Sequence, residues 1–461
     1  MVAKDELEML NQLRSTHDVF YAGDERNELY YLGLKKLASL GLNIPPGLSL
    51  MEMYLNWSRV VVDWIEMRQD VKSFILPGKS VSDPGLLELW DANNMDSDLS
   101  LFNRDKLVYG RAFLSVGTNE DDPEHPLIRV ESPREMTMLV DARRRQARCA
   151  LRQWGDDDNP HNIKYATLYT PEATVHLEMD NGIWVEVDRD DHGLGRVPII
   201  MSLNRRRTGN WRGETEMTDI IPIVDGTART LTNLQHAQEV AAIPRRAVAG
   251  ASKGDFVDQD GKPLPVWDAY MGAVWALQNK DAKVMEFAAA DLDNFHGTLN
   301  MYAQQASSVS GIPVKAFGQF TSNPAAEGAI RADESQAVKR VERQNADTGV
   351  ALGWTMALAE RFRSGTEISG NIIKTEWQDP GTPTFSQKAD ALQKLAGGAP
   401  IISREGAWDE LGWSEARKAR EREYFDQENE DPYLTRLALK EAQNDLSGGA
   451  GVPEGANKPV A

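Results

Sequence analysis

Apolar residues recur every three to four positions over three long stretches of the chain, and this spacing predicts its framework. From about 213 to 242, Met217, Ile220, Ile221, Val224, Ala228, Leu231 and Leu234 draw one stripe along a helix. Fully helical from 215 to 242, it would span about 42 Å. Pro222 fits such a helix only in its first turn or at a kink, and Pro244 ends it. Residues 245–290 carry short β-like pieces, with a turn at Asp260-Gly261-Lys262-Pro263 and an apolar run over 273–277. A second helix is predicted over 292–310, with Phe295, Leu299, Tyr302, Ala306 and Val309 in register, closed by Ser310-Gly311-Ile312-Pro313. A short polar loop over 318–323 leads to a third helix over 325–362, mostly polar, with Ile330, Val338, Val341, Trp354 and Leu358 as its apolar markers. That order predicts an out-and-back helical rod with a small module at its tip, then a strut. A helical hairpin of this length needs neighbours to bury its sides, so the chain is expected to be one stave of a ring.

The first hundred residues also read as helical. Met53, Trp57, Val60, Trp64 and Met67 recur on one face of a helix expected to begin near Ser49, after Pro45-Pro46-Gly47, and a short strand follows over 71–76. From 112 to 187 the period changes to two, which predicts antiparallel β structure. Met136, Met138 and Val140 alternate, and Cys149, Leu151 and Gln153 alternate against Arg148, Ala150, Arg152 and Trp154. The plainest hairpin joins 175–179 to 183–187 through Asp180-Asn181-Gly182, where Asn-Gly supplies the positive φ angles of a tight primed turn. His176 is expected on the exposed face. After the third helix come a strand over 371–377, a break at Asp379-Pro380-Gly381-Thr382-Pro383, and helical pieces over 385–395, 404–411 and 414–425.

Composition narrows the chemistry. The chain has 461 residues, of which 41% are hydrophobic, enough for two or three domains with a sizeable core. It has no apolar run long enough to cross a membrane and no apolar signal at the N-terminus, so a soluble protein made in the cytoplasm is expected. Its single cysteine, Cys149, excludes an internal disulfide, and no Cys/His spacing suggests zinc. Seventy acidic against 51 basic residues give a net charge of −19, which disfavours general attraction to nucleic acid. An acidic wall would suit a protein that DNA slides past; it also serves solubility. Two basic runs, Arg143-Arg144-Arg145 and Arg205-Arg206-Arg207, fall where turns are expected, in contact with solvent or with an acidic neighbouring subunit. Phosphate loop, nucleophile elbow, H-E-x-x-H and paired-cysteine motifs are absent, and the G-x-G at Gly193 and Gly195 lacks a third glycine and a following helix. Acidic loops at Glu120-Asp121-Asp122, Asp156-Asp157-Asp158 and Asp188 to His192 could hold a divalent cation, which keeps a metal-assisted hydrolase using the loops near Asp156 and Asp190 as an alternative, beside another structural protein. Solvated turns are the plainer expectation there, with no catalytic residue, no metal and no cofactor.

Several local sequences, in their order, resemble the portal proteins of tailed bacteriophages, in particular the divergent siphophage portals that include many from phages of actinobacteria. They are Tyr30-Tyr31-Leu32-Gly33, the helix around Trp57 to Met67, Tyr109-Gly110-Arg111-Ala112-Phe113, Ser132-Pro133 through Asp141, and Gly195-Arg196-Val197-Pro198. Further along stand Gly213-Glu214-Thr215-Glu216, Ser310-Gly311-Ile312-Pro313 and Glu376-Trp377-Gln378-Asp379-Pro380. The resemblance spans about residues 20–430. It implies an α+β portal fold with a helical and β wing, a two-helix stem, a small α/β clip, a long wing helix and a helical crown. On this chain those become the wing over 1–212, stem helices over 213–242 and 291–311, the clip over 243–290, the channel loop over 312–324, the long helix and return to the wing over 325–384, the crown over 385–446 and a disordered tail over 447–461. It further implies a homo-oligomeric ring, typically a dodecamer, in the virion at the capsid's portal vertex, through which double-stranded DNA is packaged and ejected. Expected partners are the terminase large subunit, an ATPase, then the head-tail connector or adaptor, and the major capsid and scaffolding proteins, with no membrane. The channel-loop residues are Lys315, Gln319, Thr321, Ser322 and Asn323; one cation among amides and hydroxyls can touch phosphates weakly but cannot read bases. One departure is that Thr215 stands where relatives often carry Ser, with Pro222 soon after, at the start of the first stem helix.

Overall fold

The computed structural model describes residues 3–35, 53–76, 78, 82–156, 158–241, 246–249, 283–286, 292–319, 327–381, 385–397, 400–413 and 415–430. They fall in two compact units, residues 1–381 and 382–461. The fold mixes helix and antiparallel sheet.

The first unit opens with helix α1 (Lys4–Leu32), 29 residues long. Strands β4 (Met136–Asp141), β5 (Gln146–Asp156), β6 (Asn159–Tyr169), β7 (Thr174–Asp180) and β8 (Ile183–Asp190) form an antiparallel meander in the order β4-β5-β6-β7-β8. At the β7–β8 turn, Asn181 and Gly182 take φ of 49° and 83°, the tight turn that Asn-Gly predicts. Leu10 and Leu13 of α1 bury themselves on one face against Cys149, Leu151, Leu168, Val175 and Leu177, the apolar set that the period of two places together. His176 is exposed, as its parity requires. Ala150, on the opposite face, joins Phe113, Met136, Val197 and Ile199 in a small core of its own, so β5 is apolar on both sides at its centre.

A second core fills the space between a three-stranded sheet, two edge strands and three helices. Strand β2 (Arg111–Gly117) pairs with β3 (Leu127–Glu131) on one side and β9 (Ile199–Leu203) on the other. Strand β1 (Val71–Ile75) pairs with β12 (Lys374–Trp377) across most of the unit's sequence. Phe74, Leu89, Phe102, Leu114, Leu352 and Met356 are buried together where these strands meet α3 (Pro84–Ala92), α4 (Met95–Tyr109) and the C-terminal half of α7 (Glu327–Ser364). α7 has 38 residues and spans about 57 Å. Both α4 and α7 leave this core and enter a third one, described below.

Three predicted boundaries shift. The early helix is α2 (Trp57–Glu66), capped by the Asn56 side chain accepting from the Arg59 N–H at 3.1 Å; residues 53–56 are not helical, and 49–52 lie outside the described residues. Trp57 and Trp64 are buried as the stripe predicts, whereas Met53 and Met67 at its ends are exposed. The helix expected from 213 is α5 (Ile221–Ala241), with Pro222 in its first turn, where a missing N–H loses nothing. Residues 216–220 are turns, for a reason given by the junction below. The last strand begins at Lys374, after a single 3₁₀ turn over Gly370–Ile372. The second and third long helices are α6 (Asp293–Ser310) and α7, within two residues of expectation. Of the segment between α5 and α6, β10 (Arg246–Ala249) and β11 (Lys283–Glu286) form an antiparallel pair; the turn at 260–263 and the run at 273–277 lie outside the described residues.

The second unit is helical where described: α8 (Phe385–Ala396), α9 (Arg404–Glu410) and α10 (Glu415–Glu430). Buried Trp408 stacks on Trp413 and Phe425, with ring centroids 5.7 and 5.9 Å away. Ser403 caps α9 by accepting from the Gly406 N–H. Residues 431–461, including the tail, lie outside the described set.

One half-buried acid opposes this packing. Burial pushes the Asp105 carboxyl on α4 up to about 7 from 3.8, with nearby Glu28 adding to the rise and Arg104 opposing it. The native state therefore holds an extra proton between about pH 4 and 7, and stability falls as pH rises through that window. Asp105→Asn should raise the free energy of urea unfolding at pH 8 by about 2–4 kcal/mol, and change it little at pH 4. Equal effects at both pH values would contradict this.

Candidate functional site

The short sequences that carried the family resemblance lie far apart in the chain, and most of them meet at one junction. Its apolar part holds Tyr30, Trp57, Val61, Leu107, Met217, Ile220, Val224, Ala303, Ala306, Ile312, Phe317 and Val341. α1 ends here. The hydroxyl of Tyr30 donates to Asp225 on α5 at 3.0 Å, and that of Tyr31 donates to Asp63 on α2 at 2.9 Å, so the tandem tyrosines pin α1 to two different helices.

Beside this core sits a buried carboxylate. Glu216 has a side chain that is 0% exposed, and four side chains converge on it. Asn204 Nδ2 donates to it at 2.9 Å, Arg205 Nε at 3.2 Å and Gln344 Nε2 at 3.3 Å, and the Arg340 guanidinium pairs with its other oxygen at 2.5 Å. A carboxylate withdrawn from water survives only with such a set of donors. Arg340 also donates to the carbonyl of Ser310, the last residue of α6, at 2.7 Å. One carboxylate thus holds the lead-in to α5, the end of α6 and the middle of α7.

The backbone around it explains why the helix cannot begin at 213. The Glu216 N–H and the Thr215 hydroxyl both donate to the Leu107 carbonyl, at 2.8 and 3.1 Å, and the Glu214 N–H donates to Asn204. These partners replace helical ones. The approach is close enough that a Cβ on Gly213 would lie 1.9 Å from the Gly110 oxygen, and both glycines have positive φ, 71° and 83°. At the end of α6, Ser310 donates to Ala306 and accepts from the Ile312 N–H, Gly311 takes φ of 72°, and Ser307 donates to the Ile312 carbonyl. Ser-Gly-Ile-Pro is therefore a stop held by its own side-chain and backbone hydrogen bonds.

A second buried pair locks α1 to the three-stranded sheet. Arg111, at the start of β2, makes a two-pronged contact with Asp24 at 2.6 and 3.0 Å and donates to the Pro133 carbonyl, which brings the Tyr109-Gly110-Arg111 and Ser132-Pro133 sequences together.

The loop beyond Gly311 starts as part of this junction. Ile312 and Phe317 are buried, with the Phe317 ring edge-on to Trp57 at 5.6 Å, and Val314–Phe317 is a 3₁₀ turn. Lys315 points out of it, exposed. Gln319 is half-buried and donates to the Asn300 carbonyl on α6 at 2.8 Å, a tether that the sequence does not announce. Thr321, Ser322 and Asn323 lie outside the described residues. The acidic loops do not come together: Asp156 pairs with Lys164, Asp122 with His125, and Asp191 with Arg189, while Asp157 is outside the described set. Among the described residues, no group of three or more His, Cys, Asp or Glu side chains is placed to hold a metal ion.

The chain is a virion structural protein of the phage portal class. The profile of the family described as phage portal protein, SPP1 Gp6-like, matches residues 10–432, and the chain belongs to that family. It is 33% identical to the portal protein of Mycobacterium phage D29 over 412 residues, 87% of this chain and 85% of the relative. The portal protein of Mycobacterium phage L5 is 32% identical over the same shares. Among solved structures, the neck of an empty GTA particle computed with C6 symmetry matches with a TM-score of 0.47 at 16% identity, over 77% of this chain and 89% of that one. The neck of the native GTA particle computed with C12 symmetry gives 0.45 at 15%, over the same shares. As a portal protein of a tailed phage, the chain is a component of the virion, at the portal vertex of the capsid. No helix among the described residues is long and apolar enough to cross a membrane.

Removing the Glu216 carboxylate leaves two guanidinium groups facing a buried gap. Glu216→Ala should lower stability by about 3–5 kcal/mol in urea unfolding. Gly213→Ala should be at least as damaging, whereas Gly182→Ala, with open space at its Cβ, should cost only about 1–2 kcal/mol. A Gly213→Ala protein as stable as Gly182→Ala would refute the close approach.

Proposed function

We propose that the chain acts as a structural conduit: copies assemble into a ring, typically of twelve, around an axial channel for double-stranded DNA. In this reading α5 and α6 are the stem, the β10–β11 segment between them the clip, the loop after Gly311 the channel lining, residues 1–212 and 325–384 the wing, and 385–446 the crown. Family membership carries the proposal, and the helix pair supports it. The start of α5 and the end of α6 share one core, so the two helices run antiparallel from the junction, with the Tyr302 ring against Gly226. Away from that junction this chain covers α6 poorly: residues 293–302 include no buried residue, and Met301 is 46% exposed. Neighbouring copies are the natural cover.

Lys315 is the cation of the proposed channel loop, and its contacts with passing phosphates would be weak and blind to sequence. No nucleotide-binding motif is present in the sequence, so the work of translocation falls to a terminase ATPase docked at the clip, replaced later by the connector proteins. Capsid and scaffolding proteins would meet the outer surface. The chain itself is proposed to carry no catalytic activity and no cofactor.

Purified protein at rising concentration should form rings with a central hole in negative-stain images; particles that stay monomeric throughout would contradict the proposal. Lys315→Asp should leave those rings intact and reduce the yield of filled heads, and a normal yield would remove the loop from the channel.

A further inference from the structure

The two arginine runs that are separate turns in the sequence come together in the fold. The β4–β5 turn brings Arg144 and Arg145, and the segment after β9 brings Arg206, to a cleft of about 360 Å³ beside α7. Arg196, Trp211 and Trp354 complete its wall. The Arg196 guanidinium lies 3.5 Å from the centroid of the Trp354 ring, and burial alone pulls its pKa down to about 10. Arg206 has Asp347 at 4.0 Å, but Arg144, Arg145 and Arg196 form no ion pair among the described residues. On a chain of net charge −19, this is a concentration of positive charge, with Asp347 as the carboxylate in its lining, between aromatic walls.

The same sheet carries a surface of the opposite character. Along β8, Ile183, Val185 and Val187 alternate outward at 69%, 43% and 64% exposure. The register sets Asp180 beside Ile183 and Glu178 beside Val185, both exposed and without an ion pair among the described residues. β8 is an edge strand, and an apolar edge left open invites association with another chain.

We propose that the arginine cleft of one copy receives the β8 edge of the next, joining neighbouring copies head to tail. The proposal rests on the ring reading above. Two observations support it. The strip offers carboxylates to the guanidinium groups and aliphatic side chains to the indoles, so the two surfaces match in charge and in apolar character. They also lie at opposite ends of one sheet: the cleft is lined by Met138 and Val140 of β4, four strand spacings or roughly 19 Å from β8. They therefore cannot cover each other within one chain, and two different complementary patches are what a head-to-tail contact needs to close a ring. A DNA duplex would satisfy the arginines but leave the indoles without an apolar partner.

The test uses the full chain and two paired reversals, Arg144→Glu with Arg206→Glu in the cleft, and Glu178→Lys with Asp180→Lys on the strip. All four residues are exposed, and circular dichroism checks that both variants fold. Each variant alone should need roughly tenfold or more higher concentration to form rings at low salt, measured by sedimentation and negative-stain microscopy. An equimolar mixture should recover ring formation, because each altered surface then faces its complement; misfolding would not be rescued this way. Rings from both single variants at the wild-type concentration would overturn the proposal and leave the portal reading standing. A wild-type chain that never forms rings would overturn both. Loss of binding to a short DNA duplex in the cleft variant, with ring formation unchanged, would assign the cleft to nucleic acid and also overturn it.

Discussion

A carboxylate that water cannot reach holds this protein's main helices in place. Glu216 is fully buried, and Asn204, Arg205, Arg340 and Gln344 all turn their donors or charges toward it. The arrangement is demanding, because an ionised group in the interior is tolerated only when its partners are complete, and losing any one exposes the cost of the rest. It is also specific. An apolar plug of the same volume could be stable, but it could not fix the directions of three separate segments at once. Through Arg340 the same charge reaches the end of α6, so both helices of the proposed stem are anchored at one end to the long helix α7.

The anchoring explains which parts of the fold were readable beforehand. α6, α7 and the β7–β8 hairpin follow from periodicity and turn chemistry, which are local, and they fall where the residues predict. The start of α5 does not. Residues 213–220 have helical spacing, yet their amides and the Thr215 hydroxyl are claimed by Leu107 and Asn204, more than a hundred positions away in one case and reached only through two glycines. Likewise Tyr30, Gly110, Glu216 and Ser310 could be recognised as an ordered series without any sign that they share a junction. Arg205 was legible as part of a basic turn; that it turns inward to Glu216 while Arg206 faces a cleft is decided by the left-handed backbone at Arg205, φ 46°. Lys315 is exposed on its 3₁₀ turn, whereas the tether from Gln319 to Asn300 depends on how that loop folds back on α6 and has no signal in the sequence.

Family membership and physical structure bear on different parts of the function. The first makes the chain a phage portal protein and a virion component. The second shows a helix pair rooted firmly at one end, with α6 thinly covered away from that root, on a body whose sheet has one basic and one acidic, apolar flank. In the proposed ring these complement each other. The junction keeps each stave at a fixed angle to its own body, and the flanks set the angle between bodies. Rigidity within a copy and complementarity between copies are both required for a channel of constant bore.

Amide hydrogen exchange in the Glu216→Gln protein tests the clamp most directly. The account predicts that protection falls together at Asn204, at Glu216 and at Gly311, which lie in three segments that meet at this carboxylate, while the β7–β8 amides keep theirs. Loss confined to residues 204–216, with Gly311 as protected as before, would show that the end of α6 is held by something else and would contradict the account.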